Sequence, residues 1–524
     1  MKQPKVYLVG AGPGDPSLLT LAAVKCLGRA DCIIYDGLVD PAVLQYARPD
    51  AEKICVRKRT GPNPATQEQI NKLLLEKARS CDCVVRLKGG DPLLFARAAE
   101  ELQTLTDAGL FFEIIPGITA AQAAAAYCGI LLTDRLISSQ VLFVTGKESP
   151  DKTESAIDFQ MLARFEGSLV FYMAMGTLEE IAEKLLSCGK ASDTPVAVIA
   201  NATLPTQRLL KSALAAVAND CRAACLAAPA IIIIGKAADS SPHWGWFAAK
   251  PLFGKRIGIT RDPRGNEKFA QMLKDFAACP VPFDCLQIHD LSDSSELTAV
   301  LGRIENFDWV VFTSARGVEY TFKAVERLGR DARIFGKAKL ACVGSATAEA
   351  LARFGLAADL VPRQFTTAAL AEALIRRLDS KDKNILLLRS AIAPDDLPDS
   401  LIKAGANVVQ IPVYTVLLAT PSEEQKKAFG KELQQGLDWL TFTSASAVRF
   451  FFEQFPPQLV KSGPAKIASI GPAASAQLKA LGLDVDLQAG VHTLVGLIDS
   501  LVQATSENHS TKSPERKRRD KENK

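Results

Sequence analysis

Short apolar runs alternate with amphipathic stretches along nearly the whole chain. In the first half the runs are VYLVG, CIIYD, VVRLKG, VLFVTG, LVFYM, AVIA and IIIIG, each of strand length and separated by helix-period patterns. This alternation predicts an α/β architecture, buried strands joined by surface helices. Over residues 243–251, HWGWFAAKP, the alternation pauses on three aromatic residues, and GKRIGITR then opens a new strand. Two domains are expected, residues 1–247 and 254–503, with a linker over 248–253.

The second half repeats itself. DWVVFTSARGVEYTF from Asp308 returns as DWLTFTSASAVRFFF from Asp438, and ACVGSATAEALARFGL from Ala341 returns as ASIGPAASAQLKALGL from Ala468. KRIGITR from Lys255 echoes KNILLLR from Lys383. Two copies of one α/β unit follow. Each copy puts Thr and Ser at the end of a buried strand, just before a helix: Thr313 and Ser314 in one, Thr443 and Ser444 in the other. Such hydroxyls serve as helix N-caps, and they also stand where open α/β sheets bind ligands, outside the strand C-termini.

Backbone in the segment VYLVGAGPGDP, residues 6–16, is suited to touching a ligand. Gly10, Gly12 and Gly14 allow close approach and positive φ, whereas Pro13 fixes φ and lacks the N–H that a phosphate cradle uses. The glycine spacing departs from GxGxxG, although Asp36 stands where a dinucleotide site has its acid, and no Gly-Lys-Ser/Thr follows. On these residues alone, a ligand loop, a dinucleotide site and a plain tight turn all stay open.

At 524 residues the chain exceeds one ordinary core, and its 48% hydrophobic content suits globular domains. No apolar run reaches the roughly 18 residues of a membrane span, and the first strand begins without a signal-peptide pattern. A cytoplasmic protein is expected. Twelve cysteines are scattered with no CxxC pair, the pattern of buried reduced thiols. All four histidines lie beyond residue 240, so the first half has none for a metal site or a catalytic base. No metal is expected. Of the +4 net charge, much lies after Thr505, where seven Lys and Arg face four Asp and Glu, and residues 504–524 read as a disordered basic tail. No other basic, aromatic-studded surface points to nucleic acid.

Two further motifs narrow the field: RLKGGDPLLF at residues 86–95 and PGITAA at 116–121, each at the end of an apolar strand. With YDGLV at residues 35–39, they make about residues 4–247 resemble the tetrapyrrole methylase family, in its uroporphyrinogen-III C-methyltransferase branch. The resemblance implies S-adenosyl-L-methionine folded against backbone and lined by Pro13, Gly89, Gly90, Asp91, Leu94, Thr119, Ala120, Met173 and Ala202. It implies Asp36 and Lys58 as proton acceptor and donor, and a homodimer through this half. Methyl transfer to carbon is positioning chemistry, after which the cationic ring must lose a proton. The substrate's many carboxylates make Arg57, Lys58, Arg59, Arg86 and Lys88 expected anion holders, surface ion pairing being the plain alternative. Departures from the family's FGRG, YMG and NG place Ala96, Ala98, Ala174 and Ala202 where bare backbone is usual, which puts cofactor affinity in question.

Over roughly residues 254–503 the paired FTS motifs, VGSATA and IPVYTV at 411–416 resemble uroporphyrinogen-III synthase. This implies cofactor-free closure of hydroxymethylbilane with loss of water and inversion of the last ring. Thr313, Ser314, Thr443 and Ser444 would bind the substrate and Tyr414 would assist hydroxyl departure, packing with a tethered hydroxyl being the alternative for that tyrosine. Together the resemblances imply a two-lobed α/β methylase domain followed by a duplicated two-lobed α/β synthase domain. The implied function is conversion of hydroxymethylbilane to uroporphyrinogen III and then, by two methylations, to precorrin-2, for sirohaem or cobalamin formation. The rivals are a methyltransferase with another acceptor, including RNA, and a first half that binds ligand without catalysis.

Overall fold

Strands buried on both faces carry continuous apolar runs, and the first sheet is built on such strands. It consists of β1 (Val6–Gly10), β2 (Cys32–Asp36), β3 (Glu52–Val56), β4 (Val84–Lys88) and β5 (Phe112–Ile115), in the order β3-β2-β4-β1-β5 and parallel throughout. The structure is a computed structural model that describes residues 6–56, 66–148, 152, 155–239, 244–378 and 382–510. Even-numbered positions of β4 face the helices Gln67–Ser80 and Ala98–Asp107, while Val85 and Leu87 face the opposite layer. The first of these helices starts on a capping box between Thr66 and Gln69 and buries Ile70, Leu74 and Ala78 on one face.

A second sheet follows, with β6 (Val141–Thr145), β7 (Ser168–Tyr172), β8 (Pro195–Ala200), β9 (Arg208–Ala213) and β10 (Ala230–Ile234) in the order β6-β7-β10-β8-β9. Only β6 and β7 pair in parallel. The two sheets make one compact unit, Met1–Gly254 with Phe276–Cys279. Residues 248–253 do not form a free linker. Leu252 is fully buried, Phe247 nearly so, and Phe247 packs against Tyr127 and Phe253. The aromatics that interrupt the strand pattern close off this unit.

Lys255–Asp275 with Pro280–Lys524 form the second compact unit. Its strands are β11 (Arg256–Arg261), β12 (Cys279–Asp284), β13 (Leu286–Asp290), β14 (Trp309–Phe312), β15 (Lys339–Cys342), β16 (Asn384–Ser390), β17 (Asn407–Leu418), β18 (Trp439–Phe442), β19 (Lys466–Ser469) and β20 (Leu487–Gln488). They form two sheets, β12-β11-β18-β19-β20 and β13-β17-β16-β14-β15. The repeat falls on matching places: β16, β14 and β15 are adjacent in one sheet as β11, β18 and β19 are in the other. One whole lobe is inserted between β12 and β18. The two crossings lie side by side, with the Ala419 N–H donating to Cys285 O at 3.1 Å and Gln454 Nε2 to Ala419 O at 2.9 Å. The helix Leu494–Ser510 runs on past residue 503, with Thr505 buried and donating to Leu501 O, so residues 504–510 are ordered helix and not part of a disordered tail. The rest of that tail lies outside the described residues. Among the described residues, no helix is long and apolar enough to cross a membrane, and no group of three or more His, Cys, Asp or Glu could hold a metal ion.

Candidate functional site

The chain leaves the adjacent strands β1 and β4 toward opposite sides of the first sheet, to β2 and to β5, which opens a crevice at their C-terminal ends. Three loops meet there. Gly12 and Gly90 exchange backbone hydrogen bonds of 3.2 and 2.8 Å, both at φ +70°. Gly10 and Gly117 touch, and a Cβ on Gly117 would lie 2.3 Å from Gly90 O. Glycine is demanded by contact at the second pair and by φ at the first. Asp91 ties these loops, its Oδ1 accepting the Leu93 N–H at 2.9 Å and its Oδ2 the Gly117 N–H at 3.2 Å. Its carboxylate therefore shapes the crevice before it meets any ligand.

The other residues expected to line the cofactor surround this junction on neighbouring loops. Pro13 sits between Gly12 and Gly14, and Gly89 precedes Gly90 with open space where a Cβ would project, Leu38 being 3.9 Å away. Thr119 Oγ1 lies 2.6 Å from Tyr172 Oη, which also accepts the Ala121 N–H, and Ala120 opens the helix Ala120–Cys128 beside them. Leu94, Ala120 and Ala202 pack partly buried on one apolar cluster, and Met173 is half exposed at φ +54°. Left-handed backbone in non-glycine residues gathers on these loops, at Phe95, Arg97, Met173, Asn201 and Thr203. Such strain collects at ligand sites. None of Ala96, Ala98, Ala174 and Ala202 has a positive φ, so the strain falls on their neighbours. Ala174 is buried where Gly146 supplies the room: a Cβ on Gly146 would sit 2.4 Å from the Ala174 methyl.

Asp36 ends β2 beside this crevice, with its Oδ1 accepting from Arg86 Nη2 at 2.6 Å. Arg86 and Lys88 are not surface anion holders. Both are fully buried, and both reach Glu101, Arg86 Nε to Oε1 at 3.1 Å and Lys88 Nζ to Oε2 at 2.8 Å. In a strand two residues share a face at i and i+2, so two cations in the buried β4 require a buried carboxylate opposite them. Burial alone would raise the Glu101 carboxyl, but Arg86, Lys88 and hydrogen bonds from Lys88 and Gln67 hold it below its ordinary value. Burial and the adjacent guanidinium push Lys88 down to about 8, with Glu101 opposing. Sequence reasoning missed Glu101; the signal available was the pair of cations alternating within VVRLK. Lys58, Arg57 and Arg59 lie outside the described residues.

In the second unit both FTS segments take one conformation. Ser314 accepts the Gly317 N–H at 2.9 Å and Ser444 accepts the Ala447 N–H at 3.0 Å, each as the N-cap of the following helix. Ser314 Oγ also lies 3.0 Å from Tyr414 Oη, and the buried Tyr414 ring stacks on Tyr320. Thr443 Oγ1 accepts from Arg261 Nη1 at 3.1 Å, and the adjacent Asp262 pairs with Arg316, two residues past Ser314. Thr313 precedes Ser314 at the end of β14, partly exposed like Thr443. A line of polar side chains thus joins the two rims.

A pair of α/β units, one with a glycine-lined crevice at a switch point and one duplicated, defines a protein of tetrapyrrole synthesis. Residues 5–218 match the family description Tetrapyrrole (Corrin/Porphyrin) Methylases and residues 267–499 match Uroporphyrinogen-III synthase HemD. The porphyrin biosynthesis protein HemD of Ruminiclostridium josui is 34% identical over 447 residues, 85% of this chain and 88% of that protein. An S-adenosyl-L-methionine-dependent uroporphyrinogen III methyltransferase of Methanosarcina barkeri is 46% identical over 231 residues, 44% of this chain and 91% of that protein. A solved uroporphyrin-III C-methyltransferase from Thermus thermophilus, complexed with S-adenosyl homocysteine, is 38% identical over 44% of this chain and 98% of its own, with a TM-score of 0.39. The chain belongs to the family of porphyrin-biosynthesis proteins in which a tetrapyrrole methylase is fused to a uroporphyrinogen-III synthase.

Proposed function

We propose that the second unit closes hydroxymethylbilane to uroporphyrinogen III and that the first unit methylates this product twice, giving precorrin-2. The observation that carries the reading is the junction of Gly10, Gly12, Gly90 and Gly117, where bare backbone from three loops frames a crevice that any Cβ at 10 or 117 would fill. The name of the Methanosarcina relative supports S-adenosyl-L-methionine as the methyl donor. When bound, it supplies an electrophilic methyl group.

The chain's own part is to hold and orient. Pro13, Gly89, Gly90, Leu94, Thr119, Ala120, Met173 and Ala202 present backbone and small or apolar surface to the donor, and Asp91 keeps the loops in register. Asp36, at the mouth of the crevice, accepts the proton that the methylated ring must lose, and Lys58 hands a proton back. In the second unit Thr313, Ser314, Thr443 and Ser444 fix the two ends of the linear tetrapyrrole, and the Tyr414 hydroxyl, oriented by Ser314, donates to the departing hydroxyl group. Catalysis there consists mainly of holding one arrangement against spontaneous closure. This half uses no cofactor.

The test is incubation of the pure chain with hydroxymethylbilane, with and without S-adenosyl-L-methionine, followed by product mass and isomer analysis. The expected result is the type III isomer alone without donor and a product heavier by two methyl groups with it. A type I product in both reactions removes the synthase reading, and supplied uroporphyrinogen III that stays unmethylated removes the methyltransferase reading.

A further inference from the structure

Arg86 is the largest fully buried side chain in the protein, and its guanidinium is committed on three sides. Nε donates to Glu101 Oε1 at 3.1 Å, Nη1 to Leu87 O at 3.1 Å and to Ile34 O at 3.4 Å, and Nη2 to Asp36 Oδ1 at 2.6 Å. Glu101 is held in turn by Lys88 at 2.8 Å and by Gln67 Nε2 at 3.2 Å. Two cations and two carboxylates balance. Three of the four are sealed from solvent, whereas the Asp36 side chain is 21% exposed. Charge networks of this kind seldom out-stabilise well-packed apolar residues, so a buried arginine whose outermost donor ends on the one exposed carboxylate calls for a reason beyond stability.

We propose that Arg86 is a positioning residue for methylation: anchored from behind by Glu101, it fixes the Asp36 carboxylate at the end of β2 and occupies Oδ1, so that Oδ2 takes the proton. The proposal rests on the reading of Asp36 as proton acceptor. Among the described residues, the other charges on strands flanking β2 are Lys88 on β4, behind Arg86 and bound to Glu101, and Glu52 and Lys53 at the far end of β3. Only Arg86 bonds Asp36 directly in the described network. Its planar fork spans Glu101 and Asp36 at once, which a lysine ammonium cannot do.

A double-mutant cycle on the full chain tests this, with methylation of uroporphyrinogen III as the rate and calorimetry of S-adenosyl homocysteine as the binding readout. Asp36→Asn is expected to slow kcat about 100-fold, and Arg86→Gln about 10-fold, with the dissociation constant of S-adenosyl homocysteine unchanged within about twofold. The double variant is expected to be no slower than Asp36→Asn alone, because a residue that acts through Asp36 has nothing left to position. Multiplied losses in the double variant, or wild-type turnover in Arg86→Gln, overturn the proposal. Should Arg86→Gln fail to fold, Arg86→Lys keeps the buried charge balance, and the same cycle with Asp36→Asn decides. Full activity in Asp36→Asn is a separate outcome, which removes the proton-acceptor reading itself.

Discussion

Tyr414 Oη lies 3.0 Å from Ser314 Oγ, and that same oxygen accepts the Gly317 N–H at 2.9 Å, so one serine both starts a helix and holds a phenol. Its counterpart Ser444 caps its helix through the Ala447 N–H but shares its oxygen with Ser446 and not with a tyrosine. The two positions separate stability from chemistry. Ser314→Ala and Ser444→Ala are each expected to cost about 1 kcal/mol of cap energy. Ser314→Ala is expected also to slow ring closure several-fold by releasing Tyr414, and Tyr414→Phe to slow it further. Urea titration and isomer-resolved chromatography check the two halves of the claim. Equal synthase losses from the two serine variants would return Ser314 to a capping role alone.

The repeated Asp-Trp dipeptides do the same mechanical work in both lobes. Asp308 Oδ2 accepts the Asn384 N–H and Oδ1 accepts from Lys383 Nζ, both at 2.9 Å, while Asp438 takes the Arg256 N–H at 2.9 Å and Lys255 Nζ at 2.8 Å. Each aspartate pins its strand to the neighbouring strand. Asp308→Ala and Asp438→Ala are expected to destabilise the chain by similar amounts, about 1 kcal/mol each, mostly through the orphaned backbone donor since the ion pairs are part-exposed. Burial raises the Asp308 carboxyl, but Lys383 and the Asn384 N–H outweigh it and hold it below its ordinary 3.8. The Asp308 contribution is therefore present above that value and lost as pH falls below it, so the gap between wild type and Asp308→Ala should close in acid.

Lys88 gives a signature of opposite sense. Its native value, near 8, lies below the 10.5 of an unfolded lysine, so between those limits the unfolded chain binds more protons and stability rises with pH. Lys88→Met lacks this titration. Urea titrations of both proteins from pH 7.5 to 10.5 should show wild type gaining on the variant, by up to about 3 kcal/mol across the window. A constant difference between the two curves would mean that Lys88 titrates normally.

What was legible in the sequence followed from how each position is solvated. Strands such as VVRLK and IIIIG, buried on both faces, announce themselves as apolar runs, and the duplication showed because matching sheet positions demand matching residues. The edge strands β3, EKICV, and β9, RLLKSA, carry largely exposed side chains and give no such run. Arg86 and Lys88 read as solvated cations because their partner Glu101 sits 13 residues past Lys88 on another element, and sequence spacing does not reveal a contact made across a sheet and a helix. Residues 248–253 read as a linker because the strand pattern stops there, although the aromatics flanking the stop are what a packed closing segment requires. Thr313, Ser314, Thr443 and Ser444 were legible as strand-end hydroxyls, but the Tyr414 contact that distinguishes Ser314 spans 100 residues.

Gly117 offers the sharpest test of the crevice, because its demand is steric and its φ is ordinary. A Cβ there would lie 2.3 Å from Gly90 O and 2.8 Å from Gly10 Cα, atoms of two other loops held by backbone hydrogen bonds and by Asp91, so relief must come from separating the loops. Gly176 is a matched control in the same unit: a Cβ at that position meets nothing within 4 Å. Separating the loops disturbs the surface proposed to hold S-adenosyl-L-methionine while leaving the buried faces of β1 and β4 packed. Gly117→Ala is therefore expected to weaken S-adenosyl homocysteine binding at least 10-fold with a partial loss of stability, and Gly176→Ala to change binding by less than twofold. Because the synthase strands lie in the other unit, uroporphyrinogen III formation should persist in both variants. Calorimetry alongside the synthase assay decides the matter: wild-type affinity in Gly117→Ala would show that the three-loop junction is not the donor's cradle.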